Sequence, residues 1–297
     1  MTKKRILLIY PPSPVMNRED RCQQPTKDLI VIPPLPPTDL MYLASVAEQI
    51  GLEAKIKDYS QGGDLEYDLR EFRPDYLVVN IATPTLEHDL DAVKRAKEIN
   101  PKIVTIAKGA GFLALGEKIL AEHDFLDFGI LGEAEDTLKE ILLGKEKSEI
   151  LGIYYCENGE VKFTGKRPFI DDLDSLPFPA RHLVDNNIYR RPDNNKVQAT
   201  IKVERGCPFH CFFCLATPVS GAKVRRRSAE NIVAEIKECV EKYNIRNFLF
   251  WSDIFNLDKE WTMNLCQAII DSGLKITWSA NTRADTADLE MAKMMYK

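Results

Sequence analysis

The sequence predicts an α/β chain in two parts, a doubly wound five-stranded parallel sheet followed by a partial (β/α) barrel. Three observations predict it. Apolar runs of strand length alternate with stretches of helical periodicity from residue 4 to residue 143, as in consecutive βα units. A hairpin signature and an acidic, proline-punctuated stretch interrupt the alternation over residues 151–196. From residue 197 it resumes, now around a loop holding three cysteines. The 297 residues suit about two domains, and 44% hydrophobic residues are enough to give each a core.

The first domain, residues 1–150, opens on a strand from Lys4 to Tyr10 whose near-continuous apolar run fits burial on both faces. Pro11, Pro12 and Pro14 end it. A long proline-rich loop runs on to Pro37, and loops of that length are functional or mobile. Thr38 or Asp39 caps the next helix, in which Leu40, Leu43, Ala44, Ala47 and Ile50 recur at helical spacing before a stop at Gly51. Further strands fall at Glu53 to Lys57, Tyr76 to Ile81, Lys102 to Ala107 and Leu126 to Leu131. Helices separate them at Leu65 to Phe72, Leu86 to Asn100, Leu113 to Glu122 and Ala134 to Leu143. Parallel sheets of this kind bind ligands beyond the carboxyl ends of their strands. The loops beginning at Pro11, Asp58, Ala82, Lys108 and Gly132 are therefore the candidate binding edge. Lys108-Gly-Ala-Gly111 and Gly132-Glu-Ala-Glu135 carry glycines that let a bulky ligand approach the backbone or merely serve turns. No dinucleotide fingerprint follows the first strand, and no GxxxxGK loop occurs.

Residues 151–196 read as a hairpin and connector. Gly152 to Phe163 alternates around a turn at Asn158-Gly159, and Cys156 is expected to be a buried or semi-exposed structural cysteine. Pro168 to Pro179 reads as a linker. Residues 197–297 then supply strands at Val197 to Glu204, Phe248 to Ser252 and Lys275 to Ala280. Their helices are Ala229 to Tyr243, capped by Ser228, then Lys259 to Ser272 and Thr286 to Lys297. Active sites of such series form at the carboxyl ends of the strands.

The first of these strands leads into Gly206-Cys-Pro-Phe-His-Cys-Phe-Phe-Cys214. Cys207, Cys211 and Cys214 have the spacing CxxxCxxC, and three soft thiolates in one loop can converge on zinc, cuprous copper or an iron–sulfur cluster. A closed zinc site or an ordinary cluster takes four protein ligands. No fourth cysteine lies near, so one coordination position is left open. His210 reads as a hydrogen-bonding loop residue rather than a ligand. Ser252, Asp253, Asn281 and Arg283 fall on the same rim, where Asp253 equally suits capping of local backbone donors. The run Arg225-Arg226-Arg227 has the chemistry to meet a carboxylate or phosphate but reads first as a solvated face. Cys239 and Cys266 read as core, and Met291, Met294 and Met295 as a packing face.

Composition narrows the partners. A formal charge of −5 gives no electrostatic reason for nucleic acid or an anionic membrane, so a small-molecule substrate fits better. The apolar run after Lys3-Lys4-Arg5 is too short for a signal peptide, and no stretch nears the roughly 18 apolar residues of a membrane helix. Seven cysteines, odd in number and clustered, fit a reducing cytoplasm.

With Phe213 before its last cysteine, CPFHCFFC has the CxxxCxφC form of radical S-adenosylmethionine enzymes, and the second domain resembles that family. The first resembles the cobalamin-binding domain that precedes many of them. It does so through the Pro-Pro end of its first strand, the Pro-Pro-Thr-Asp-Leu-Met-Tyr-Leu-Ala helix entry and Gly132-Glu133-x-Glu135. The resemblance implies a 4Fe-4S cluster on Cys207, Cys211 and Cys214, with S-adenosylmethionine on the open iron. Phe213 would meet the adenine, and Ser252 and Asp253 the methionine amino group. It also implies cobalamin against Pro12, Ser13, Asp58, Thr83, Gly109, Gly111, Gly132 and Glu133. No histidine ligand is implied, because Asp58-Tyr-Ser-Gln61 lacks the histidine of DxHxxG, and Lys108-Gly-Ala-Gly111 stands where relatives often have Gly-Gly-Pro-His. An external electron donor such as flavodoxin or ferredoxin is implied as well.

The activity implied is reductive cleavage of S-adenosylmethionine to start methyl transfer or cyclisation on an unactivated carbon. Barrels of this family usually have six βα units and the sequence supplies three, so a truncated or split product is expected, with another chain supplying the missing half-barrel. The alternative function is then a catalytically incomplete corrinoid-binding or cluster-binding module. A structural metal site, the third reading, needs a fourth protein ligand. Methylthiotransferases acting on transfer RNA fit less well, since their N-terminal domain carries several cysteines where this chain has Cys22 alone.

Overall fold

The computed structural model describes residues 3–13, 34–191 and 193–297, together with two short strands at 16–18 and 23–25. Most of the proline-rich stretch between Pro11 and Pro37, Cys22 included, lies outside the described residues. The chain divides into two compact units, Met1–Phe169 with Pro177–Asp185, and Ile170–Leu176 with Asn186–Lys297.

In the first unit the order is β1 (Arg5–Tyr10), β2 (Met16–Arg18), β3 (Gln23–Pro25), α1 (Thr38–Gln49), β4 (Glu53–Asp58), α2 (Leu65–Phe72) and β5 (Tyr76–Asn80). It continues with α3 (Leu86–Ile99), β6 (Val104–Lys108), α4 (Phe112–Glu122), β7 (Phe128–Ile130), α5 (Glu135–Leu142), β8 (Ile153–Glu157) and β9 (Glu160–Phe163). The main sheet runs β4-β1-β5-β6-β7-β8-β9. Its first five strands are parallel, as the sequence predicts. The hairpin of β8 and β9 extends that sheet with two antiparallel strands, and β2 pairs with β3 apart from it. Strand order reverses between β1 and β5, so the switch point lies beyond Tyr10 and Asn80.

The pleat of β1 divides the core in two. Ile6, Leu8 and Tyr10 pack with α1 and α5 on one face, while Leu7 and Ile9 pack with α2, α3 and α4 on the other. At the hairpin turn Asn158 and Gly159 both take positive φ, 54° and 81°, the type I′ geometry that matches strand twist. Cys156 on β8 is exposed, contrary to expectation, because Ile153 and Tyr155 are the β8 residues that turn inward. The expected cap at Thr38 or Asp39 is also absent: α1 begins after Pro37 without a side-chain cap bond, and Asp39 is engaged elsewhere.

The connector expected over residues 151–196 is divided between the units. Ala180 N–H donates to Met41 O at 3.1 Å and Ser45 O–H to Phe178 O at 2.6 Å, which holds that part to α1. Asp174 instead accepts from Ser228 N–H at 3.0 Å and belongs to the second unit.

The second unit runs β10 (Gln198–Lys202), β11 (Glu204–Arg205), α6 (Ala216–Ser220), β12 (Arg225–Arg226), α7 (Ala229–Tyr243), β13 (Asn247–Trp251), α8 (Lys259–Asp271), β14 (Thr277–Ala280) and α9 (Leu289–Tyr296). β10, β13 and β14 form a parallel sheet in that order. Ile201, Phe248 and Phe250 pack with Ile232 and Ile236 of α7 and with Leu265 and Ile269 of α8. Cys239 and Cys266 are buried, and Met291 and Met295 face inward, as the spacing predicts. The arginine run is neither a solvated face nor a ligand cradle. Arg225 binds the carbonyls of Ile170 and Ser220, Arg227 binds Glu235 and Asn231, and both are buried because β12 pairs with β11 inside the fold. Among the described residues no helix is long and apolar enough to cross a membrane.

Candidate functional site

The antiparallel pair of β11 and β12 forms the base of the cysteine loop. Gly206 enters the loop at φ 100°, and a Cβ there would stand 2.2 Å from Lys223 O, so the two limbs close only around a glycine. Cys207 N–H donates to Gly221 O at 3.0 Å, and the Thr217 hydroxyl faces Cys207 O at 3.0 Å and Phe209 O at 2.8 Å. Cys214 N–H donates to Cys211 O at 3.0 Å, and Ala216 N–H to Cys214 Sγ at 3.4 Å. Hydrogen bonds to sulfur are one means by which proteins tune iron–sulfur clusters.

The tip of the loop is open. Cys207 is buried with Ala216 and Ile254, whereas Cys211 and Cys214 are exposed, and Phe212 and Phe213 stand in solvent at 104% and 89% exposure. Among the described residues, no three Cys, His, Asp or Glu side chains converge as a finished metal site. The sulfurs share one neighbourhood nonetheless. Burial pushes the Cys207 thiol up, the Phe209 N–H partly offsets this, and Asp253, Cys214 and Cys211 add to the rise. The donor set fits a cluster with three protein ligands. Cys239 and Cys266 sit in the core, Cys266 with its thiol pushed up to about 11 by burial, so neither completes the set.

Ser252 and Asp253 follow β13. Ser252 is 2% exposed, and its hydroxyl oxygen has no hydrogen-bond partner among the described residues; buried polar atoms are nearly always paired, so this one marks a polar site. The charge of Asp253 reaches both Cys207 and Glu204. Glu204 is a site neighbour that the sequence signalled only as a charge in an apolar strand just before Gly206. It is buried, with Oε2 accepting from Arg226 Nε at 3.1 Å and Oε1 lacking a partner among the described residues. Burial pushes its carboxyl up to about 7 against the pull of Arg226. Arg283, beyond β14, lies with its guanidinium 4.2 Å from the centre of the Phe209 ring, and Asn281 O accepts from Phe255 N–H at 2.9 Å.

At the carboxyl edge of the first sheet, Tyr10 O–H donates to Asp39 Oδ1 at 2.5 Å and the Lys108 ammonium bonds to Asp39 Oδ2, all three residues being buried. No local signal announces this knot, because Asp39 stands where a helix cap is expected. The predicted binding residues lie around it at the ends of five strands. Pro12 and Ser13 follow β1 half-buried, and the Ser13 hydroxyl oxygen has no hydrogen-bond partner among the described residues. Asp58 closes β4 and accepts from Ser60 N–H at 3.0 Å and Ser60 O–H at 2.6 Å, a turn-capping role. Thr83 is exposed after β5. At Gly109 a Cβ would meet Ile81 O at 2.1 Å, so this glycine serves the protein's own packing. Gly111 is buried, whereas Gly132 is exposed with nothing within 4 Å of where a Cβ would stand, and half-buried Glu133 follows it.

Residues 33–142 match the B12 binding domain family. An uncharacterized methyltransferase of Pyrococcus horikoshii is 28% identical over 288 residues, which cover 91% of this chain and 62% of the relative. The anaerobic magnesium-protoporphyrin IX monomethyl ester cyclase of Cereibacter sphaeroides is 26% identical over 281 residues, covering 88% and 45%. The chain thus spans about half the length of the curated relatives it matches. The radical S-adenosylmethionine methyltransferase TsrM from Kitasatospora setae, solved with cobalamin and a 4Fe-4S cluster bound, shares the fold at a TM-score of 0.74 and 16% identity, over 99% of this chain and 57% of that one. The chain is thus similar to a B12 binding domain over residues 33–142, to a methyltransferase and a cyclase over most of its length, and in fold to a radical S-adenosylmethionine methyltransferase.

Proposed function

We propose that the chain serves cobalamin-dependent radical S-adenosylmethionine chemistry, reductive cleavage of S-adenosylmethionine that starts methyl transfer or cyclisation at an unactivated carbon of a small molecule. The observation that carries this reading is the CxxxCxxC loop at the carboxyl end of β10, in a chain whose residues 33–142 match the B12 binding domain family. Relatives named as methyltransferase and as cyclase support either outcome.

Cys207, Cys211 and Cys214 would hold a 4Fe-4S cluster, which when bound supplies the electron for the cleavage. Gly206, Thr217 and the pair of β11 and β12 set the base of the loop, and Ala216 N–H supports the Cys214 sulfur. Phe213 has its ring free to stack on adenine. Ser252 and Asp253 would receive the methionine ammonium, which gives the buried Ser252 oxygen a donor. Pro12, Ser13, Asp58, Thr83, Gly109, Gly111, Gly132 and Glu133 would line a corrinoid, with the open backbone at Gly132 leaving it room. The reading calls for a flavodoxin or ferredoxin as electron donor and for the cytoplasm as compartment.

Anaerobic reconstitution with iron and sulfide, followed by absorption and paramagnetic-resonance spectra with and without S-adenosylmethionine, tests this function. A 4Fe-4S signal that changes on adding S-adenosylmethionine is expected. Cys211→Ala should abolish the signal and leave the far-ultraviolet circular dichroism unchanged, because the side chain is exposed. A signal indifferent to S-adenosylmethionine removes the enzymatic reading and leaves a binding module. Zinc in place of iron in protein purified anaerobically favours a structural site. A corrinoid band that survives gel filtration after incubation with hydroxocobalamin tests the first unit separately.

A further inference from the structure

Arg283 sits on a platform that the rest of the second unit builds with care. Its backbone is gripped on both sides by the buried Asn256: Asn256 Nδ2–H donates to Arg283 O at 3.1 Å, and Arg283 N–H donates to Asn256 Oδ1 at 3.1 Å. Thr286 O–H joins the same Asn256 Oδ1 at 2.9 Å. The segment after β14 is thereby fixed to the start of α8, and the guanidinium is delivered onto the cysteine loop.

There it uses edge and face for different partners. Asp285 takes the edge through two parallel bonds, Nε–H to Oδ1 at 2.9 Å and Nη2–H to Oδ2 at 2.6 Å. The face covers Phe209, two residues after Cys207 and two before Cys211, and Phe209 in turn packs on Cys207, Ala216 and Ile254. Asp285 first, and then Cys211 and Cys207, hold the guanidinium proton more tightly, so these sulfurs lie within electrostatic reach of Arg283. A positive charge anchored this way stacks on the loop and acts electrostatically on its cysteines.

We propose that Arg283 is a positioning residue for the cluster that the cysteine loop would carry, stacking on Phe209 to hold the loop and placing a cation that favours the reduced cluster. The inference rests on the cluster reading given above. Its physics is direct: reduction adds one negative charge, a nearby cation stabilises it, and the potential of a cluster responds to local charge and exposure. Asp285 acts in the opposite sense, drawing the cation's field away.

Two variants of opposite expected sign test this, each in reconstituted protein followed by a paramagnetic-resonance redox titration. Arg283→Gln should lower the reduced-to-oxidised ratio at a fixed potential by about threefold, on the scale where tenfold is 59 mV for one electron. Asp285→Asn should raise it, and Arg283→Lys, which keeps the charge, should stay closer to wild type than Arg283→Gln. Unchanged ratios in both Arg283→Gln and Asp285→Asn, with the cluster fully loaded, would overturn the charge role. The holding role is read without any metal: Arg283→Gln should speed amide exchange at Phe209 and His210 while leaving α7 unaltered, and equal exchange in the two proteins would overturn it. Failure of the wild type to take up iron and sulfide at all defeats the cluster reading instead, and is seen before any variant is made.

Discussion

The carboxyl-end edges of the sheets in the two units are built in opposite ways. In the first, Tyr10, Asp39 and Lys108 bring the ends of β1 and β6 and the start of α1 into one buried polar knot made by the protein's own groups. In the second, the base of the cysteine loop is tied as firmly, yet its tip holds Cys211, Cys214, Phe212 and Phe213 in solvent. The difference shows where the order of each site comes from. Folding fixes the first edge, so a ligand bound there gives up little ordering free energy. Coordination would fix the second, because thiolate ligation and the ordering of a loop are coupled.

If folding does fix the first edge, breaking its knot must cost fold stability. Asp39→Ala removes the carboxylate that binds both Tyr10 and Lys108, and losing one member of a buried ion pair costs about 3–5 kcal/mol. Hydrogen exchange at the amides of β1 and β6 is the right probe, since Trp251, Trp261 and Trp278, all the tryptophans there are, lie in the second unit. Asp39→Leu combined with Lys108→Met should recover most of the loss. A cost below about 1 kcal/mol for the single variant would show that the edge does not depend on the knot.

The second unit carries a buried charge of the opposite tendency, and here tryptophan fluorescence reports directly. With its carboxyl pushed from 4.5 to about 7, Glu204 binds its proton more tightly in the folded chain than in the unfolded one. The folded state therefore holds the extra proton between those values, and stability falls as pH rises through that window. The groups acting on it are Arg226 and the Ile254 N–H, which oppose the shift, and Asp253, which adds to it. Glu204→Gln should flatten that decline in metal-free protein and exceed the wild type by about 1–3 kcal/mol at pH 8, with the difference vanishing below pH 4.5. Parallel urea midpoints for the two proteins from pH 5 to pH 8 would show that Arg226 keeps the carboxylate ionised throughout.

How much of this was legible in the sequence follows from the range of the forces involved. α2 and α7 begin and end where periodicity and caps place them, because those signals are local, and the turn at Asn158-Gly159 is written in two adjacent residues. The cysteine spacing is likewise local. Asp39 and Lys108 are 69 positions apart, and nothing in either neighbourhood announces the other. The arginine run misled for the same reason: three adjacent charges suggest solvent until the partners of Arg225 and Arg227 are supplied by Ile170, Ser220 and Glu235. Cys156 erred by one step of the strand period, enough to reverse its face.

The smallest effect tests whether the base of the cysteine loop is as well ordered as the first edge while its tip is not. In metal-free protein under nondenaturing conditions, Cys156, Cys211 and Cys214 should react with a thiol reagent first, Cys207 more slowly, and Cys239 and Cys266 last. That order follows exposure, together with the burial that pushes the Cys207 thiol up. Thr217→Val keeps the shape of the side chain but removes the hydroxyl that faces the carbonyls of Cys207 and Phe209, a loss of about 1 kcal/mol. Reaction at Cys207 should then quicken by about fivefold, the equivalent of that free energy, while Cys211 and Cys214 keep their rates because they are already open. Equal acceleration at all three would mean that the loop opens as one piece, and the contrast between a folded base and an open tip would have to be given up.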